Sequence, residues 1–394
     1  MHPDDGARGP FDDPAPPAAL EAGAGPDPGL VVIEGGAIGV YGAPRPAVPE
    51  RLPLRPRYGC GSGAGAGTGA DAAALGTGGH RRLPEWLKVR LPGEGEYAGT
   101  KGLLRSRGLH TVCEEARCPN LGHCWARGTA TIMILGELCT RRCGFCAVAP
   151  GKPNGHVDWD EPRRVGEAVA EMNLRHTVIT SVARDDLKDG GSTIFAAVIR
   201  EIRRRSSTVV EVLIPDFRGH ADDLQRVVDA GPDVINHNIE TCERLHPIVR
   251  PSARYARSLE LLRRVRETGG AIKAKSGIML GLGEQDDEVR QTLSDLVAHR
   301  CQLLTIGQYL RPTPLHLPVV EFVHPDRFAA WADEARALGF ENVASGPLVR
   351  SSFHADELAG TVRPGEASRS RTHEAPPGFP GGASNPVGRE TAQI

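Results

Sequence analysis

The sequence contains no run near the roughly 18 uninterrupted apolar residues that a membrane-spanning helix needs. It also lacks an excess of charge. With 47 Lys and Arg against 49 Asp and Glu, the net charge is −2, and nothing electrostatic favours nucleic acid or an anionic membrane. Met1 to Pro10 lack the basic and apolar regions of a secretory signal and are too acidic for a mitochondrial presequence. Methionine is scarce: there are four, and the next after Met1 is Met133, so a start assigned upstream of the true one would also explain the first segment. The nine cysteines therefore call for something other than the disulfides of a secreted scaffold. The expected location is a reducing compartment, the bacterial cytoplasm.

Glycine and proline are abundant but uneven. Residues 1–80 hold 18 of the 48 Gly and 12 of the 32 Pro, and residues 361–394 hold five of each. The Gly/Ala/Ser tract from Tyr58 to His80 cannot bury enough apolar area to offset chain entropy, so both ends are expected to be disordered tails. A short apolar run, Leu30 to Ile33, has no evident partner. The boundaries read as a tail over 1–82, an extension over 83–128, a main domain over 129–356 and a second tail over 357–394.

Between the tails, β-branched apolar runs alternate with segments of helical spacing. Strands are expected at Thr131–Leu135, Thr177–Val182, Val209–Ile214, Val234–Ile239, Ile272–Leu280 and Leu303–Leu310. Helices are expected at Arg163–Leu174, Ile194–Arg204, Asp222–Ala230, Ser258–Arg266, Glu288–His299 and Arg327–Leu338, with Pro162 and Pro325 at two of the starts. This alternation implies an α/β fold with a parallel sheet, and about six units favour a barrel or partial barrel with ligands at the carboxyl ends of the strands.

Six of the nine cysteines fall in one short window, as Cys113-x4-Cys118-x5-Cys124 and Cys139-x3-Cys143-x2-Cys146. The second trio directly follows the first expected strand. Thiolates grouped this way bind an iron–sulfur cluster or a soft metal. Structural zinc usually takes two C-x2–4-C knuckles, and only Cys143 and Cys146 form one. Two trios instead make two three-thiolate sites, each leaving one corner of a cubane open. Cys60 reads as a bystander, and Cys242 and Cys301 as small core residues.

The C-x3-C-x2-C loop, with Phe145 before its last cysteine, resembles the signature of radical S-adenosylmethionine enzymes. The resemblance narrows to the lipoyl synthase family through HTVCEEARCPNLGHCW (110–125), LPEWLKVRLP (83–92), HTVITSVARDDLKDGG (176–191), INHNIET (235–241), KSGIMLGLGE (275–284), TIGQYLRPTPLHLPV (305–319) and GPLVRSSFHAD (346–356). It implies a partial (β/α)6 TIM-like barrel and two [4Fe-4S] clusters per chain. Cys139, Cys143 and Cys146 would hold one cluster, which binds S-adenosyl-L-methionine. Cys113, Cys118, Cys124 and Ser352, from Arg350-Ser351-Ser352-Phe353, would hold an auxiliary cluster that donates sulfide. The implied reaction inserts two sulfurs at C6 and C8 of an octanoyl group on a lipoyl carrier domain. Phe145, Arg184, Asn236 and Glu240 are the expected cofactor contacts; Asp185, Asp186, His237, Asn238 and Lys275 lie at strand ends as ligand contacts or as barrel lining.

The implied partners are 2-oxoacid dehydrogenase E2 subunits and the glycine cleavage H protein as substrates, a ferredoxin or flavodoxin as electron donor, and an iron–sulfur carrier. A monomer is expected, with no nucleic acid and no membrane. The competing readings are a biotin-synthase-like sulfur inserter and a non-catalytic iron–sulfur carrier or zinc module. Three positions depart from the family pattern. Ala183 replaces the common Asn, at the expense of one polar contact. Phe353 replaces Tyr. Gly144 stands where Pro is common and is expected to loosen the loop.

Overall fold

The computed structural model describes residues 83–88, 102–115, 118, 120–126, 129–353 and 355–360, all within the compact unit Gly67–Ile394. The first tail, with Leu30–Ile33 and Cys60, and residues 361–394 lie outside the described residues. The second tail is expected to begin at residue 357, but a short helix, Ala355–Leu358, crosses that point and Leu358 and Ala359 are buried, so the fold continues to residue 360. The strands are β1 His110–Thr111, β2 Thr129–Ile134, β3 His176–Ser181, β4 Val209–Leu213, β5 Val234–Asn236, β6 Lys273–Leu280, β7 Leu303–Gln308 and β8 Asn342–Gly346. They form one sheet in chain order, β1 antiparallel to β2 and the rest parallel. Among the described residues no pairing returns from β8 to β2, so the barrel is partial.

Eight strands stand where six were expected. β8, Asn-Val-Ala-Ser-Gly, has one β-branched residue and is half-buried throughout, so it offers no apolar run to read. β5 stops at Asn236 rather than Ile239. There the Ser276 hydroxyl replaces the sheet ladder, accepting from Ile239 N at 3.1 Å and donating to His237 O at 3.0 Å. The six expected helices are present: α1 Glu161–Glu171, α2 Ser192–Arg205, α3 Ala221–Asp229, α4 Tyr255–Thr268, α5 Asp286–Ala298 and α6 Pro325–Leu338. A Gln285/Glu288 capping box starts α5, and Pro325 sits in the first turn of α6. Before α2, Gly191 has φ +91° and an added Cβ would lie 2.3 Å from the Leu135 side chain, so only glycine fits.

Alternation along each strand separates two environments. One face supplies Ile132, Ile134, Ile179, Val210, Val212, Ile235, Ala274, Ile278, Leu304 and Ile306 to the main core, where they meet Val165, Val169, Phe195, Ile199 and Leu262 of the helices. The other face is polar. Lys275 Nζ donates to both Glu211 oxygens at 2.8 and 3.0 Å, Asn236 Nδ2 donates to Glu211 Oε1 at 3.2 Å, and His176 Nε2 lies 3.4 Å from Glu211 Oε2. A salt bridge between β4 and β6 reaches across β5, so this face is concave. Burial pushes the Glu211 carboxyl up, but Lys275 and His176 outweigh it and hold the group below the usual range. Of the two roles open to Lys275, the structure gives it that of barrel lining.

Both partners of this ion pair are fully buried. Glu211→Leu alone leaves an unpaired buried ammonium and should cost about 3–5 kcal/mol. Glu211→Leu combined with Lys275→Met should recover most of that loss. Urea unfolding of the three chains measures both.

Candidate active site

The cysteine loop begins where Leu135 (φ +68°) and Gly136 (φ +87°) turn the chain out of β2. It closes on itself where Cys139 N donates to Ala149 O and Gly151 N donates to Cys139 O, at 2.9 and 2.8 Å. Cys139 Sγ accepts from Ala183 N at 3.3 Å and Arg141 N at 3.4 Å, and Ala183 O accepts from Thr140 N at 3.0 Å. These ties of Ala183 are main-chain ones, so they do not depend on which side chain stands at this position.

Gly144 corrects an expectation. It does not loosen the loop: its N–H donates to Val249 O and its carbonyl accepts from Leu317 N, both at 3.0 Å. An added Cβ would lie 2.8 Å from the Leu317 side chain. A proline would lose the bond to Val249. Cys146 N turns back to Cys143 O at 3.2 Å, and its carbonyl takes His316 Nε2 at 2.9 Å.

Burial pushes the Cys143 thiol up to about 11 and the Cys146 thiol up to about 12. Neighbouring thiols add to both: Cys139 raises Cys143, and Cys143 and Cys139 raise Cys146. The Glu240 carboxylate repels both as well, while Arg250 and Arg141 draw Cys143 down. The loop therefore gathers thiols that cannot ionise together unless positive charge joins them, which is what iron supplies. Among the described residues no three His, Cys, Asp or Glu side chains converge on a point that one metal ion could occupy. A cubane asks for something different, since each thiolate binds its own iron.

Around the loop the polar groups are ordered. Asn238 hydrogen-bonds the Glu240 carboxylate, whose pKa burial raises. Asn238 Oδ1 and Asn236 Oδ1 are buried with no hydrogen-bond partner among the described residues. A Cβ on Gly277 would lie 2.9 Å from Asn238 Oδ1, so glycine there leaves room for the amide. Phe145 packs in a second apolar cluster with Cys242, Leu245, Val249, Leu282 and Tyr309. Arg184 is fully buried, and its guanidinium donates to Leu135 O (3.2 Å), His156 O (2.7 Å) and both Asp186 oxygens (2.9 Å each), an arrangement that braces the loop after β2.

Arg141 and Asp216, which the sequence did not single out, tie the loop to the barrel. Arg141 donates to Asp185 at 2.8 and 2.9 Å and to Asp216 at 2.5 Å, and Asp216 also takes Arg257 at 3.1 Å. Arg250 Nη1 donates to Asn238 O at 2.7 Å. His237 sits between Ile214 O (2.8 Å) and Ser258 Oγ (2.9 Å), and burial, helped by Arg250, lowers its pKa to about 3, so it stays neutral.

The upstream trio lies against the C-terminal segment. Cys113 and Cys124 are buried and Cys118 is half-buried. Cys118 N donates to Cys113 O at 2.9 Å, and Cys124 N donates to Asn120 O at 2.9 Å. Asn120 Nδ2 donates to Leu348 O at 2.6 Å. Burial and the nearby Cys118 push the Cys113 thiol up to about 12, and Arg350 tempers the rise at Cys118. Arg350 itself donates to Val349 O at 2.6 Å; Ser352 is half-buried in the turn closed by Phe353 N on Arg350 O at 2.9 Å. Phe353 packs on the main core. Cys301 is core, and Cys242, in the second cluster, donates to Glu288 Oε2 at 3.6 Å.

Residues 133–296 match the model of the radical SAM superfamily. With the sheet and the three-cysteine loop after β2, they define a radical S-adenosylmethionine enzyme, a class that uses a [4Fe-4S] cluster and S-adenosylmethionine. Residues 69–118 match the N-terminal domain of lipoyl synthase of that family. The chain is 54% identical to the lipoyl synthase of Rubrobacter xylanophilus over 289 residues, covering 73% of this chain and 89% of that protein. It is 56% identical to that of Symbiobacterium thermophilum over 277 residues, covering 70% and 86%. It is 52% identical to that of Bacillus subtilis over 298 residues, covering 75% and 98%. The chain belongs to the lipoyl synthase family and is a sulfurtransferase of the radical S-adenosylmethionine type. Among the described residues, no helix is long and apolar enough to cross a membrane.

Asp216 gives the site a signature in pH. Burial alone would raise its carboxyl, but Arg141 holds it near 2, below about 3.9 for an unfolded Asp. Its contribution is complete above about pH 5 and is lost as pH falls through about 2, worth up to about 2.6 kcal/mol. Between pH 5 and pH 2.5, the urea midpoint of the apo wild type should therefore fall further than that of Asp216→Asn.

Proposed function

We propose that this chain inserts two sulfur atoms, at C6 and C8, into an octanoyl chain amide-linked to a lysine of a lipoyl carrier domain. The observation that carries this reading is the pair of cysteine trios, one half-buried on the loop after β2, the other set against the C-terminal segment. An alkyl C–H offers no proton that a side-chain base could take at neutral pH, so acid–base chemistry does not serve. A [4Fe-4S] cluster with S-adenosylmethionine supplies instead a 5′-deoxyadenosyl radical able to take hydrogen from such carbons.

The residues fit that group. Cys139, Cys143 and Cys146 would hold three irons and leave the fourth to the methionyl amine and carboxylate. Glu240, whose carboxylate acts on Cys143 and Cys146, and Asn236, whose Oδ1 has no partner among the described residues, would accept hydrogen bonds from donor groups of the cofactor. Phe145 and its apolar cluster shield the loop from water on one side. We keep Arg184 among the cofactor residues as the brace of the loop rather than as a hydrogen-bond donor to the ligand. Cys113, Cys118, Cys124 and Ser352 would hold a second [4Fe-4S] cluster, the source of sulfur. The weakly held hard oxygen of Ser352 suits a ligand that must release its iron. The carriers would be E2 subunits of 2-oxoacid dehydrogenases and the glycine cleavage H protein, with a ferredoxin or flavodoxin as reductant. An iron–sulfur carrier would rebuild the second cluster, in a monomer of the bacterial cytoplasm.

Anaerobically reconstituted protein, given S-adenosylmethionine, a reductant and an octanoyl-lysyl peptide, should release 5′-deoxyadenosine and add two sulfurs to the peptide by mass. Loaded protein that yields no dithiolated peptide would contradict the proposal. Ser352→Ala should stop sulfur addition while 5′-deoxyadenosine still forms; normal lipoyl formation would remove Ser352 from the ligands.

A further inference from the structure

We propose that residues 309–317, after β7, form a clasp on the cysteine loop, with His316 as its positioning residue. Acting through the Cys146 carbonyl, His316 keeps Cys143 and Cys146 in the arrangement that retains a cluster. The inference rests on the assignment of a cluster to Cys139, Cys143 and Cys146.

The loop is closed at its base by Cys139 with Ala149 and Gly151, but its tip does little to hold its own shape. Among the described residues, a single backbone hydrogen bond lies within 142–148, from Cys146 N to Cys143 O. The remaining order comes from outside. Leu317 N donates to Gly144 O at 3.0 Å, with the Leu317 side chain laid over Gly144. One residue earlier, His316 Nε2 meets Cys146 O at 2.9 Å. Two consecutive clasp residues thus grip the loop on either side of Phe145.

The geometry fixes which atom of His316 faces the loop. A carbonyl only accepts, so Nε2 carries a proton toward Cys146 O, and Nδ1 pairs with Thr313 Oγ1 at 2.8 Å. Thr313 Oγ1 also accepts from Leu315 N at 3.2 Å, and Thr313 O accepts from His316 N at 3.0 Å. Arg311 Nε donates to His316 O at 2.9 Å, and Tyr309 OH donates to Leu317 O at 2.8 Å. Pro312, Pro314 and Pro318 restrict the backbone between these points. The clasp is therefore rigid before it touches the loop, which is what a positioning element requires.

The test follows iron release from the anaerobic holoprotein to a ferrous chelator, with circular dichroism and urea midpoints reporting the fold. Wild type should hold about eight irons, four per cluster. His316→Ala should lose about four of them about fivefold faster, the effect of one hydrogen bond, and the others at the wild-type rate. His316→Gln, which keeps a donor toward the same carbonyl, should restore slow release, and Thr313→Val should fall between. Wild-type release from a folded His316→Ala, or release from His316→Gln as fast as from His316→Ala, overturns the clasp. If His316→Ala does not fold, wild-type release from Thr313→Val overturns it. Cys146→Ser holding all the wild-type iron would instead show that the cluster assignment fails.

Discussion

Withdrawal of the loop's thiols from water is the constraint on which the site depends. Burial raises Cys143 to about 11 and Cys146 to about 12, with Cys139 and Glu240 adding to both and Cys143 to Cys146. The loop that carries them is tied to its surroundings. It is held from four directions: by Ala183 after β3, Val249 after β5, Leu317 after β7, and Asp216 after β4 through Arg141. The carboxyl ends of parallel strands all open on one side of the sheet, so a single loop can be reached from all of them.

The barrel beneath serves the same end. Its outward face is apolar and carries the helices, while its concave face holds the Lys275–Glu211–Asn236 network. Glu211 can only accept, so it fixes the Asn236 amide with its NH2 inward and its oxygen turned away as an unpaired acceptor. Gly277 leaves room for the Asn238 amide, whose oxygen is likewise unpaired. The ion pair of the floor and the Asn236 amide are thus parts of one hydrogen-bonded arrangement.

Much of this was legible in the sequence because it is local. The two cysteine trios are short spacings, and six strands and six helices showed as apolar runs and helical periods. What escaped depends on distance along the chain. Arg141 and Asp216 are 75 residues apart, and His316 and Cys146 are 170 apart, so no spacing marks either pair. β8 escaped because a half-buried strand of Asn, Ala, Ser and Gly has no apolar signature. Gly144 was misread because glycine suggests freedom, whereas its neighbours at Val249 and Leu317 remove that freedom.

The two trios make separate demands. The first is met by strand-end loops, the second by the segment after β8, which reaches Asn120 through Leu348 and Cys118 through Arg350. Iron content measures that separation most directly. After anaerobic reconstitution, wild type should bind about eight irons. A chain with Cys139, Cys143 and Cys146 changed to Ala should bind about four, and so should one with Cys113, Cys118 and Cys124 changed to Ala. Either triple variant binding all eight, or folding normally and binding none, would contradict two independent cluster sites.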